Sequence, residues 1–208
     1  MPYIRRRKAI LGFAFLLTSC TNLVPPTSLA AIVADGQQVD QVFLKIAPMI
    51  ASAYPALLTK AGVTLAQITN GSTGWLDIAG STLAGLAAQG SPASSASTVQ
   101  VVEEYFNEFM DVASSITTAV NPTLGLAIGA ASVLIAGIEN VVGVPAPTTA
   151  AALNIPPRQP AITRAKALAP GMTPTAARGI LTEFLVTPAS TILTKPHADI
   201  AARAAQRT

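Results

Sequence analysis

"NPTLGLAIGAASVLIAGIENVVG", residues 121–143, decides the fold, because from Thr123 to Ile138 it carries no charge. Asn121 and Pro122 open a helix there: the asparagine side chain can cap the first free N–H groups, and the fixed φ of proline suits the first turn. The uncharged run of about 16 residues ends at Glu139 and Asn140, short of the ~20 that cross a hydrocarbon core. A buried bundle helix is therefore the preferred reading, with Leu124, Ile128, Leu134, Ile135, Ile138 and Val142 turned inwards. The alternative is a membrane span, favoured by Gly125 and Gly129, a small-xxx-small pair of the kind that lets membrane helices approach closely.

The preceding stretch, "TVQVVEEYFNEFMDVASSITTAV" (98–120), gives that helix a partner. Val99, Val102, Phe106, Phe109, Ala113, Ile116 and Val120 recur at steps of three and four, an a/d stripe. Ser97 or Thr98 is the expected cap. Glu103, Glu104, Glu108 and Asp111 occupy the other faces and are read as solvated; with no histidine nearby and no matching carboxylates on a second helix, they make a poor di-metal site.

Two further helices complete a bundle. In residues 35–57 the apolar positions Val39, Val42, Phe43, Ile46, Ile50, Tyr54 and Leu57 share a face, with Pro48 and Pro55 predicting a kink. Beyond the "NGSTG" turn (70–74), Leu76, Ala79, Leu83 and Leu86 line a short helix starting at Trp75. A weaker helical piece is expected over 65–69. Trp75, Tyr54 and Tyr105 are assigned to core packing.

After Gly143 the composition changes. Nine of the sixteen prolines and seven basic residues fall in 144–208. The stretch 145–170 reads as extended, partly disordered linker. Residues 173–186 predict a short helix with Ile180, Leu181, Phe184 and Leu185 as its apolar patch, and 197–206 another. The expected fold is thus all-α: a small antiparallel bundle of about four helices over 35–143, with a Pro-rich, partly disordered basic tail over 144–208.

The first twenty residues divide into a basic start (Arg5, Arg6, Arg7, Lys8), an apolar stretch from Ala9 to Leu17, and small residues ending at Cys20. This is the layout of an export signal, and its apolar part is too short to span a membrane. Leu17-Thr18-Ser19-Cys20 resembles the bacterial lipobox. The resemblance implies cleavage before Cys20, diacylglycerol on its thiol and an acylated (palmitate-type) new amino terminus, so that 1–19 is signal peptide and 20–34 a lipidated tether. The competing readings are an ordinary cleaved signal with an incidental Cys20, and a buried free cysteine. The resemblance further implies an exported, lipid-anchored envelope protein. Thr21, which is not acidic, favours the outer membrane facing the periplasm over the inner membrane in a Gram-negative cell. Cys20 is the single cysteine, so no disulfide can form within the chain.

The formal charge of +3 misleads if read whole. The leader and the tail are basic, and residues 20–142 are acidic, which argues against a nucleic-acid partner. His197 is the single histidine, and no GxSxG elbow, Ser-x-x-Lys spacing or P-loop occurs. The sequence therefore predicts no catalytic residues, no metal ligands and no cofactor. Asn70-Gly71-Ser72 matches a glycosylation acceptor that a bacterial lipoprotein would leave unused.

Two functions follow. One is a non-catalytic binding or scaffolding lipoprotein, held to the membrane through lipid on Cys20. Its basic residues Arg158, Arg164, Lys166, Arg178, Lys195, Arg203 and Arg207 would meet an anionic lipid, a cell-wall polymer, an acidic envelope protein or a second copy. The other resembles membrane-active phage or prophage proteins of holin or lysis type: residues 121–142 insert and associate through Gly125 and Gly129.

Overall fold

The computed structural model describes residues 28–53, 74–88, 96–142 and 161–194, with isolated positions between 55 and 66. The described residues form seven helices and no strand: α1 (Leu29–Ala53), α2 (Trp75–Leu86), α3 (Ala96–Val120), α4 (Pro122–Val142), α5 (Ala161–Leu168), α6 (Pro174–Val186) and α7 (Ala189–Thr194). The protein is all-α.

The uncharged helix α4 is the axis of the fold. It starts as its sequence requires: Asn121 Oδ1 accepts from the backbone N–H groups of Thr123 and Leu124, each at 3.1 Å. Its residues 122–140 are long and apolar enough to cross a membrane, yet 89% of that window is buried inside the protein. Helices α1, α3, α5 and α6 all pack on it. A helix apolar on every side needs such a surround, because no single partner can cover all of its surface.

Helices α3 and α4 fold back on one another about Asn121. The hydroxyl of Ser132 donates to Met110 Sδ at 3.8 Å, and Glu139 interacts with Glu103. Both pairs are equidistant from residue 121, as an antiparallel hairpin demands. The predicted stripe Val99, Val102, Phe106, Phe109 and Ala113 is buried, as are Leu124, Ile128, Leu134, Ile135 and Ile138. Phe43 of α1 meets Phe106 edge-on at 5.7 Å and Phe109 at 4.4 Å, an aromatic cluster that fastens α1 to the hairpin. Leu76, Ala79, Leu83 and Leu86 turn α2 towards α1 and α3.

Three expectations need correction. Helix α1 begins at Leu29, inside the span assigned to the tether: Ser28 caps it, its Oγ accepting from Ala31 N at 3.2 Å, and Leu29, Ile32 and Val33 are buried. Pro48, the site of the expected kink, lies inside this helix and is exposed, so the proline ring faces away from the core. Helix α3 begins at Ala96, so Ser97 and Thr98 lie within it and do not cap it.

The largest change concerns the tail. Residues 161–194 are not a separate appendage, since α5 and α6 pack on α4, and α6 also packs on α1. The stretch "AITRAKAL", placed in the linker for its prolines on both sides, contains none itself. It docks because it is small: Ala165 and Ala169 are buried. Gly171, at φ 75°, makes the left-handed turn between α5 and α6. Thr173 caps α6, with Oγ1 accepting from Ala176 N at 3.2 Å, and Ile180, Leu181 and Phe184 are buried as expected. Tyr54, Leu57, Ile116, Val120, Val142 and the 197–206 helix lie outside the described residues or side chains, and of the 65–69 piece only Ala66, which is helical, is described.

Candidate functional site

Of the residues singled out from the sequence, Cys20, Arg158, Lys195, Arg203 and Arg207 lie outside the described residues, as does the side chain of Arg164 on α5. Lys166 is exposed on α5. Arg178 is already engaged. Its Nε donates to Asp35 Oδ1 at 2.7 Å and its other fork nitrogen to Asp35 Oδ2 at 2.9 Å, a bidentate pair that raises the Arg178 pKa further. Its side chain is 42% exposed and that of Asp35 only 7%, so the arginine lies over a sunken carboxylate. Arg178 is thus a strut between α6 and α1, with Nε and one terminal nitrogen of its fork committed to Asp35.

Gly125 and Gly129 are buried. A Cβ built on Gly129 would stand 3.1 Å from both Ala169 Cβ and the Leu168 carbonyl oxygen. The close approach that this small residue permits is thus filled by the protein's own α5 end.

Sequence reasoning missed the polar side chains inside the helix seams. On α1, Asp35, Gln38 and Lys45 all reach α6. Gln38 Nε2 donates to the Arg178 carbonyl at 3.1 Å and to Thr182 Oγ1 at 3.0 Å. Lys45 Nζ donates to the carbonyls of Phe184 at 2.8 Å, Leu185 at 2.7 Å and Thr187 at 2.5 Å, and stands 5.4 Å from the Phe184 ring centre. The last carbonyls of a helix lack partners within it and carry partial negative charge; the ammonium supplies both hydrogen bonds and charge. Burial lowers the Lys45 pKa.

Buried carboxyls occupy other seams. Asp40 of α1 is 8% exposed and packs against Gly80 of α2, where a Cβ would come within 2.8 Å of its Oδ2. Desolvation, with Asp77 adding repulsion, pushes its pKa up to about 7. Glu103, expected on a solvated face, is 2% exposed, and Glu139 is 3% exposed. Glu103 faces the α3–α4 seam because its neighbours Val102 and Phe106 draw that side of α3 inwards. Its Oε1 accepts from Asn107 Nδ2 at 2.6 Å. Burial first, then the neighbouring Glu139 carboxyl, push the Glu103 pKa up to about 8. The spacing of Glu103 and Asn107, four apart inside an apolar stripe, was the available sequence signal.

No group of three or more His, Cys, Asp or Glu side chains that could hold a metal ion occurs among the described residues. What the seams do offer is two carboxyls, Asp40 and Glu103, whose pKa values burial raises, and polar struts that tie α6 to α1. No family model, curated protein or solved structure matches the chain.

Proposed function

We propose that the protein is a lipid-anchored cell-envelope lipoprotein with a non-catalytic binding or scaffolding role. The observation that carries this reading is the ordered run of basic residues, apolar stretch and Leu17-Thr18-Ser19-Cys20. In the mature protein, lipid on Cys20 holds the chain at the membrane, and a short segment leads into α1 at Leu29. One acyl chain binds a membrane only marginally, so two or more are needed for stable attachment. The helical module is presented on that anchor as a packed body. Its outside contacts are to an acidic envelope protein, anionic lipid or cell-wall polymer, through Arg158, Arg164, Lys166, Arg203 and Arg207. Each such residue contributes about 1 kcal/mol at an anionic membrane, screened by salt.

Burial of α4 on all sides favours this reading over insertion of residues 121–142, since insertion would first have to strip α1, α3, α5 and α6 from it. Radiolabelled palmitate incorporation and membrane fractionation, with wild type beside Cys20→Ala, test the anchor. Label and carbonate-resistant pelleting, both lost in the variant, support it; pelleting that persists without label overturns it. Leakage of dye from vesicles by the purified protein would instead support the lysis-type alternative.

A further inference from the structure

Glu103 and Glu139 face each other across the α3–α4 hairpin, at matching distances from Asn121, in an apolar core. Glu103 Oε1 is bonded to Asn107 Nδ2, while Glu103 Oε2 is buried without a hydrogen-bond partner. A bare carboxylate oxygen in that setting is costly, and a proton on the pair removes the cost by turning one oxygen into a donor. We propose that the Glu103–Glu139 pair is a proton-controlled latch, closing the α3–α4 seam while it holds a proton and loosening it when that proton is lost to solvent.

Loss of the proton places a second negative charge beside the first in a low-dielectric seam. The raised pKa of Glu103 agrees in direction, with burial as its main cause. On α3, Glu104 adds repulsion and Glu108 and Asp111 add negative charge to the helix; Asn107 is the neighbour that favours the ionised form. The described helices packed on the hairpin carry the cations Lys45, Arg164, Lys166 and Arg178. On α1, Asp35 is bound to Arg178 of α6 and Lys45 is bound to α6 carbonyls, while Asp40 is acidic, as is Asp77 on α2. On α5, Lys166 is exposed and Arg164 is the other cation; α6 adds Glu183, and α7 carries no charged residue.

The sign follows from proton counting. Between the ordinary carboxylate range and about pH 8 the folded pair binds more protons than the unfolded chain, so the seam weakens as pH rises through that window. The latch is set to release on the alkaline side of neutrality and to hold in acid.

Hydrogen exchange of the full chain at about pH 6 and about pH 9, corrected for intrinsic rates, reads the seam directly. Protection of the amides of 99–110 and 128–139 should fall about tenfold or more relative to those of α6 in wild type, one pKa unit being tenfold. In Glu103→Gln and in Glu103→Gln/Glu139→Gln, which cannot ionise at the substituted positions, the relative fall should vanish. An equal fall in wild type and variants overturns the proposal. Infrared spectra give a second test that leaves the pair itself unaltered: in Asp40→Asn, which removes the other carboxyl with a raised pKa, a buried carboxylic-acid C=O band should persist at about pH 6 and disappear by about pH 9. Its absence at the lower pH also overturns the proposal.

Discussion

Replacing Lys45 with methionine keeps the length of the side chain and its contact with Phe184 while deleting the ammonium that binds three carbonyls at the end of α6. A hydrogen bond to a charged group contributes about 1.5–3 kcal/mol, and a cation at a partly buried helix C-terminus up to ~2 kcal/mol. These do not add, since one ammonium is desolvated once for all three bonds, and Lys45 retains some exposure. Lys45→Met should therefore cost about 2–3 kcal/mol in urea unfolding. If α6 opens separately, the amides of residues 180–187 should exchange about 30-fold faster, with the α3–α4 hairpin nearly unchanged, since 1.4 kcal/mol is a factor of ten. Lys45→Arg, which keeps the charge on a different fork, should lose less. A cost below about 0.5 kcal/mol for the methionine variant would show that the ammonium acts no differently from a surface charge, and the account of how α6 is held would fail.

Gly129→Val should destabilise by about 1–3 kcal/mol, because the Leu168 carbonyl and Ala169 leave no room for branching, though some helix propensity is regained; thermal unfolding checks this. Asp35→Ala removes both hydrogen-bond acceptors of the Arg178 fork and should cost about 1–3 kcal/mol, with Asp35→Ala/Arg178→Met recovering part of it in a double-mutant cycle. Asp40→Asn should leave stability nearly unchanged below about pH 4 and raise it above about pH 7, by ~2–4 kcal/mol at most. The folded carboxyl holds its proton up to about pH 7 while the unfolded one releases it near 3.8, so wild-type stability falls across that window and then levels; denaturant titrations at several pH values decide it.

The apolar periodicities reported the fold because they record burial directly. Leu76, Ala79, Leu83 and Leu86 on α2, and Val99 to Ala113 on α3, are buried at the expected spacings. Helix starts were legible where a side chain makes the cap, as at Asn121 and Thr173, and misplaced where capping-type residues lie within the helix, as at Ser97 and Thr98. The α5 segment escaped notice because alanine and glycine pack by close approach and leave no strong apolar signal: Ala165 and Ala169 fit against α4 where Gly129 has no side chain. Arg178 looked available because a sequence does not show that Asp35, far away in the chain, lies beneath it. Glu103 looked solvated because acidic residues usually are; its burial depends on Glu139 and Asn107 arriving at the same seam.

Intact-mass spectrometry of protein purified from membranes, wild type beside Cys20→Ala, bears most directly on the lipoprotein reading. A wild-type chain that begins at Cys20 and carries the mass of its acyl groups, with both the modification and membrane association lost in the variant, is the expected result. An unmodified chain that remains in the membrane fraction would contradict it and bring residues 121–142 forward as the attachment.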